Sequence, residues 1–331
     1  MGKVLILTDG KAGHENQSKA FARALGCEFD LVEVHFKSKF HKTLSYIFDR
    51  IGIRTMGLLV AGERASRPFV GQDGLTASNG RDARSPAWSA ILGTGSGTFY
   101  AAKVMARKLG VKCGVVLYPR GYDIASFDCV LAPAFDRPKS AANVIEIPAN
   151  LVANDEAFYE KGVEAFRERH TGSVDNAVAV IIGGPNKCST MTPEWMKTQL
   201  DAIFSDKTTA GAPSLRRYWV TTSRRTPPAV EAVVDSYPWD YKLLYSKDHF
   251  NPIPAFVKLA KKLYVTAEST GMLSESCTFG TAEVVALDNL NPGPHKFCRF
   301  VEDLRKAGYV DGNKKVDLSA QFARAKGLMG L

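Results

Sequence analysis

The sequence predicts an α/β protein of two domains, and three observations carry that expectation. The chain has 331 residues, too many for one ordinary core. Short apolar runs repeatedly end in turns rich in Gly, Ser or Asp that lead into helices, the pattern of βα units around a parallel sheet. That pattern also occurs twice, once from Lys3 and again from Ala177, with a charged helix expected at 155–170 between the two runs.

The totals narrow the function. A chain that is 45% hydrophobic and 23% charged reads as a soluble globular protein. No uninterrupted apolar stretch is long enough to span a bilayer, so any membrane contact is expected to be peripheral. The 43 Lys and Arg against 34 Asp and Glu give a net charge of +9, which favours phosphorylated small molecules or an anionic lipid surface. Nucleic acid is not an expected partner, because no dense basic run is interleaved with aromatics in a known binding pattern. The six cysteines are scattered, without CxxC or zinc-ligand spacing. They suit reduced core positions and a cytoplasmic location, with contact to the cytoplasmic face of an inner membrane as an option.

In the first half, residues 3–8 are an apolar run ending in Asp9–Gly10, a buried strand entering a ligand-facing turn. Gly10 and Gly13 permit close backbone approach, and 16–25 reads as the following helix. His14 fits two readings: an exposed loop histidine with a local hydrogen bond, or a general base titrating near neutrality. After a strand at 29–35, residues 36–59 mix Lys37, Lys39, Lys42, Arg50 and Arg54 with Phe40, Leu44, Ile47 and Ile51. A helix there either packs its apolar face on the core or lies on anionic lipid. Residues 62–89 read as a long polar loop. A second glycine-rich turn, 93–98 with Gly95 in it, precedes a helix at 99–109, and strands follow at 112–117, 129–132 and 144–147. Such βα repeats imply a site along the carboxyl edge of the sheet.

In the second half, strands are expected at 177–182, 217–222, 241–245, 263–266 and 283–287, with helices at 193–203, 229–236 and 252–262. The stretch 265–280, VTAESTGMLSESCTFG, combines a strand end, Glu268 and Ser269 in a turn, and a helix carrying Ser274 and Glu275. Helix amides there can hold an anion, and a carboxylate can accept from ribose hydroxyls. The plainer reading is a helix-capping serine and a solvated carboxylate.

Several motifs give the chain a resemblance over nearly its whole length: DGKAGHENQ at 9–17, IGGPN at 182–186, SRRTPP at 223–228, Asn251–Pro252, and the stretch 265–280. On these the chain resembles the family named for a plant mitochondrial-fission (elongated-mitochondria) protein, whose bacterial branch is grouped with glycosyltransferases. One departure is PAFD at 133–136, where the family pattern has Pro-x-His-Asp and this chain has Phe135. The resemblance implies a GT-B type architecture, two Rossmann-like domains with parallel sheets facing across a cleft. The expected division is 1–170 as the acceptor-side domain, 171–300 as the nucleotide-sugar domain, and 301–331 as a tail returning to the first. More remotely the chain resembles the peripheral membrane glycosyltransferase that adds N-acetylglucosamine in peptidoglycan synthesis. There, a glycine-rich loop with a histidine faces the acceptor, and a serine-and-glutamate helix holds the nucleotide ribose; His14 and Glu275 fall on matching positions.

The chemistry that the resemblance implies follows. A departing nucleoside diphosphate would be held by the backbone of Gly183 and Gly184 and by Ser223, Arg224 and Arg225, with arginine offering a fork of donors. Glu268, Ser269, Ser274 and Glu275 complete the donor side, and Gly10, Gly13 and Gly95 the acceptor-side loop. His14 is the first choice as base, Asp9 the second and Asp136 the third. No metal or cofactor is expected, since no DxD triplet occurs. The implied activity is sugar transfer from a nucleotide-diphospho-sugar to a lipid-linked or cell-envelope glycan. The alternatives are a nucleotide-sugar epimerase of the same architecture, or a non-catalytic membrane-associated adaptor.

Overall fold

Five of the six side chains of Lys3–Thr8 (β1) are buried, as expected of an apolar run covered on both faces. The computed structural model describes residues 2–65, 88–206 and 216–331. From β1 the chain continues through Ala12–Leu25 (α1), Glu28–Phe36 (β2), Lys39–Arg50 (α2), Leu59–Ala65 (β3), Ala90–Thr94 (β4), Phe99–Leu109 (α3), Lys112–Val116 (β5), Cys129–Pro133 (β6) and Val144–Ile147 (β7). These strands form one sheet in the order β3-β2-β1-β4-β5-β6-β7. All neighbours are parallel except β2 and β3, which pair antiparallel with Phe36 opposite Leu59. The order reverses between β1 and β4, which is where an open parallel sheet leaves a crevice at its carboxyl edge.

The segment 36–59 does not form a single helix. Phe36 ends β2, Ser38 Oγ accepts from the His41 amide at 3.4 Å to start α2, and Gly52 at φ +78° follows the helix end. The chain then turns back to supply β3, an edge strand where the sequence suggests a helix and a loop. Most of the expected loop 62–89, residues 66–87, lies outside the described residues. At its end Trp88 is half-buried and donates from Nε1 to Asp30 at 2.9 Å.

Helix α2 rests Leu44, Tyr46 and Phe48, partly buried, on the core and leaves Phe40 and Ile47 exposed. Its buried side chains are Ser45 and Asp49. Ser45 Oγ bonds the Tyr122 hydroxyl at 2.9 Å, and Asp49 takes Lys103 Nζ at 2.6 Å, Arg54 at 3.3 Å and the Asp123 amide at 2.7 Å. Burial pushes the pKa of the Lys103 ammonium down, against the pull of Asp49.

The second unit comprises Glu156–Arg169 (α4), Ala177–Ile181 (β8), Pro193–Ser205 (α5), Arg217–Thr221 (β9), Pro228–Asp235 (α6), Tyr241–Leu243 (β10), Ile253–Leu259 (α7), Lys262–Thr266 (β11), Thr270–Thr278 (α8), Glu283–Leu287 (β12) and Lys296–Ala307 (α9). Its five strands are all parallel, in the order β10-β9-β8-β11-β12, and the reversal falls between β8 and β11.

The units divide differently from the expected boundaries. Residues 1–147, 151–153 and 318–331 make the first, and 148–150 with 154–317 make the second. Helix α4, expected at the end of the first domain, belongs to the second because Phe166 packs on Trp219, Tyr241 and Phe256. Of the expected returning tail, only the last segment joins the first unit. Its helix Ser319–Met329 (α10) buries Ala325 and Met329, and Arg324 donates to the Ala142 carbonyl at 2.8 Å.

Candidate functional site

On the first unit, the candidates gather where the strand order reverses. Asp9 follows β1, and Gly10 takes the left-handed φ of +77° that turns the chain into α1. Helix α1 begins at Ala12, four residues before the sequence suggests, so His14 sits in its first turn rather than in a loop. His14 Nδ1 lies 3.0 and 3.1 Å from the two Asp9 carboxylate oxygens, and Lys11 Nζ lies 2.8 Å from Oδ2. Burial alone would raise the Asp9 pKa, but the hydrogen bonds from His14 and Lys11 outweigh it and hold the carboxyl well below the usual carboxylate range. An ionised Asp9 favours the proton on Nδ1, which leaves Nε2 as an acceptor. The histidine side chain is 24% exposed and the aspartate 6%, so the ring remains reachable while its partner is enclosed.

The glycine turn after β4 closes over this pair. Gly95 has φ +81°, and a Cβ there would overlap the His14 ring; a Cβ on Gly97 would press on Asp9. Gly13 has open space around it and lies within α1, so no close approach depends on it. Asp136 does not join the pair. It follows β6, three strand spacings from β1, or about 14 Å across the sheet. Phe135, in the position where the family pattern has histidine, is buried at 4% exposure.

On the second unit, the carboxyl ends of β8 and β11 meet in a tightly bonded junction. The amides of Gly183 and Gly184, expected to face phosphate, donate instead to Thr266 Oγ1 at 2.8 Å and Glu268 Oε1 at 2.7 Å. Glu268 is 2% exposed and accepts further bonds from Thr266 Oγ1 at 3.1 Å and Asn289 Nδ2 at 2.8 Å. It is thus a carboxylate consumed by the loop it shapes. Thr226 stitches the next turn on, donating to the Gly183 carbonyl at 2.6 Å, and a Cβ on Gly184 would overlap the Arg225 backbone. Ser223 builds that turn by accepting from the Arg225 amide at 3.2 Å.

Two expected ribose contacts are also turned inward. Ser274 is 1% exposed, donating to the Thr270 carbonyl at 2.7 Å and accepting from the Asn150 amide at 3.1 Å. Glu275 Oε1 accepts from the Tyr159 hydroxyl at 2.8 Å, and burial raises the Glu275 pKa. Tyr159 itself stacks on Phe279 at 4.3 Å, so α4 and α8 are clamped together through this pair.

What stays available is a smaller set. Ser269 precedes α8 without a side-chain capping bond, and the first amides of α8 (Thr270, Gly271) open a helix N-terminus. Arg224 and Arg225 are exposed. Arg224 lines a groove of about 490 Å³ with Glu231, Tyr245 and Lys247. Of the residues shaping this site, Thr226, Thr266, Asn289 and Tyr159 were not singled out from sequence. Thr226 and Thr266 lie inside quoted motifs, whereas nothing near Asn289 or Tyr159 marks them. Among the described residues, no three His, Cys, Asp or Glu side chains gather as a metal-ion cage.

A likeness to solved structures spans the chain. The UDP-GlcNAc 2-epimerase of Neisseria meningitidis, solved bound to UDP-GlcNAc, superposes with a TM-score of 0.51 at 11% identity, covering 99% of this chain and 98% of that one. MurG of Acinetobacter baumannii gives 0.47 at 12% identity, covering 100% and 89%. An S. aureus MnaA–UDP complex gives 0.46 at 13% identity, covering 99% and 90%. At such identity the likeness concerns the fold, which is of the GT-B class found in glycosyltransferases and epimerases. No curated protein matches the sequence significantly. The family profile described as "Mitochondrial fission ELM1" matches residues 12–321. With that match over most of its length, the chain belongs to the mitochondrial fission ELM1 family.

Proposed function

We propose that the protein is a glycosyltransferase that moves a sugar from a nucleoside-diphospho-sugar to a hydroxyl of a lipid-linked or envelope glycan, without a metal ion. The observation that carries this reading is the enclosed Asp9–His14 pair at the carboxyl edge of the first sheet. Asp9 fixes the imidazole with Nε2 free, the arrangement a general base needs. The acceptor oxygen forms its bond to the anomeric carbon as its proton passes to His14 Nε2, and the bond from that carbon to the donor's phosphate oxygen breaks. The nucleoside diphosphate leaves with the electron pair. On the second unit, Ser269, the first amides of α8 and the Arg224–Arg225 guanidiniums suit its charge. Gly183, Gly184, Glu268 and Ser274 serve in this reading as the scaffold that sets α8 in place.

Calorimetry with UDP-, GDP-, CMP- and ADP-sugars tests donor binding, and turnover with an envelope-lipid extract tests transfer. His14→Ala is expected to lower turnover by about 100- to 10,000-fold with donor affinity unchanged. Failure of every sugar nucleotide to bind would remove the proposal. Isomerised donor formed without any acceptor would replace it with an epimerase. Cellular function that survives both His14→Ala and Arg224→Ala would point to an adaptor.

A further inference from the structure

Among the described residues, six large apolar side chains are exposed, and five of them fall between Phe40 and Val60. Phe40 is 69% exposed, Ile47 52% and Ile51 63%. Their spacing of seven and four residues puts them on one stripe of α2 and its C-terminal cap, about 16 Å long. Scattered apolar residues on a surface mean little, but a continuous stripe on one helix marks a contact face.

The stripe does not arise from a helix that has failed to pack. The opposite face is anchored by Ser45 on Tyr122 and by Asp49 on Lys103, with the Asp49 side chain 0% exposed and that of Lys103 1%. Leu44, Tyr46 and Phe48 pack partly buried on the core beside these bonds, so the helix is firmly seated and Phe40, Ile47 and Ile51 are the apolar side chains it leaves outward. Charge then identifies the occupant. Around the stripe stand Lys37, Lys39 and Arg50, all exposed. The only acidic residue between 37 and 60 is Asp49, which is buried and paired. An apolar strip with cations beside it, and no exposed carboxylate within residues 37–60, matches the interfacial zone of a bilayer that carries anionic headgroups.

We propose that α2 is a membrane-docking helix, lying in the plane of an anionic bilayer with Phe40, Ile47 and Ile51 inserted among the headgroups and Lys37, Lys39 and Arg50 on the phosphates. The binding is peripheral, since no helix among the described residues is long and apolar enough to cross a membrane. It stands independently of the catalytic reading, because no residue of the stripe belongs to the site on either unit.

Flotation of the purified full chain with phosphatidylcholine vesicles, with and without phosphatidylglycerol, tests the docking. The protein is expected to float with the anionic vesicles at low salt, less at high salt, and not with phosphatidylcholine alone. The triple variant Lys37→Gln, Lys39→Gln, Arg50→Gln is expected to lose partitioning on the order of 100-fold, about fivefold for each cation removed. Phe40→Ser, Ile47→Ser and Ile51→Ser together are expected to abolish it, with the melting temperature kept because these side chains are already in water. If that variant melts early, the cation variant decides the matter. Absence of flotation at low salt, or flotation indifferent to both variants, overturns the proposal. A dimer in sedimentation that the serine variant dissolves, with no vesicle binding, would assign the stripe to a second copy of the chain instead.

Discussion

Asp9 is a structural group that the proposed function also employs. Its folded-state pKa lies below the unfolded value of about 3.9, so it adds stability that is fully present above that pH and is lost as the pH falls through the lowered value. The stability margin of the wild type over Asp9→Asn, followed by urea unfolding across a pH series, is therefore expected to be constant above pH ~5 and to shrink in acid. A margin that grew in acid would contradict the ion pair. The sequence singled out both Asp9 and His14, since each stands in a turn after a strand, but their pairing depends on α1 starting at Ala12. Harder to read were Gly183 and Gly184. Glycines after a strand look like phosphate binders, and their amide partners, Thr266 and Glu268, lie more than eighty residues away in sequence. A sequence displays a donor's identity but not what occupies it. Glu268 could be picked out as a turn carboxylate, but its three enclosing partners could not.

At the scale of elements, strands and most helices follow from apolar runs and glycine or proline stops, and these were largely legible. Helix α2 shows the limit. Its periodicity announces an amphipathic helix, yet which face turns inward is decided by Lys103 and Tyr122, which come from other segments. Edge strand β3 is harder to read for a related reason: it pairs only on one side, with β2, and its apolar run breaks at Gly62 and Glu63. The Asp49–Lys103 pair makes a direct prediction. Asp49→Ala leaves a buried ammonium unpaired and is expected to cost about 3–5 kcal/mol in chemical unfolding. Adding Lys103→Met should restore most of that loss, because an apolar side chain has no charge to desolvate. If the double variant were no more stable than the single, the cost would lie in packing rather than in charge.

For the whole molecule, two α/β units of the GT-B class were legible from length, the repeated strand-turn-helix pattern and the family motifs. The path of the chain between them was less so. A charged helix without breaks looks like a linker, and only the aromatic cluster around Phe166 assigns α4 to the second unit. The sequence suggests a tail returning to the first domain from residue 301, whereas only 318–331, with Ala325 and Met329 buried, complete the first unit. Met329 is 1% exposed, and Met329→Ala is expected to destabilise the first unit by about 2–4 kcal/mol in urea unfolding. Donor affinity, which the proposed function assigns to the second unit, should not change. A shift in donor binding would mean that α10 acts beyond its own unit.

The return of α10 to the first sheet also has a consequence in time. The seven strands of that sheet are complete by Ile147, but the helix that covers β5–β7 starts at Ser319, after the entire second unit has been made. At a synthesis rate of roughly 5–20 residues per second, that apolar flank waits on the order of 10–30 s for its cover. The nascent chain is thus at its stickiest while the second unit is still emerging from the ribosome, and a holding chaperone would find its target there.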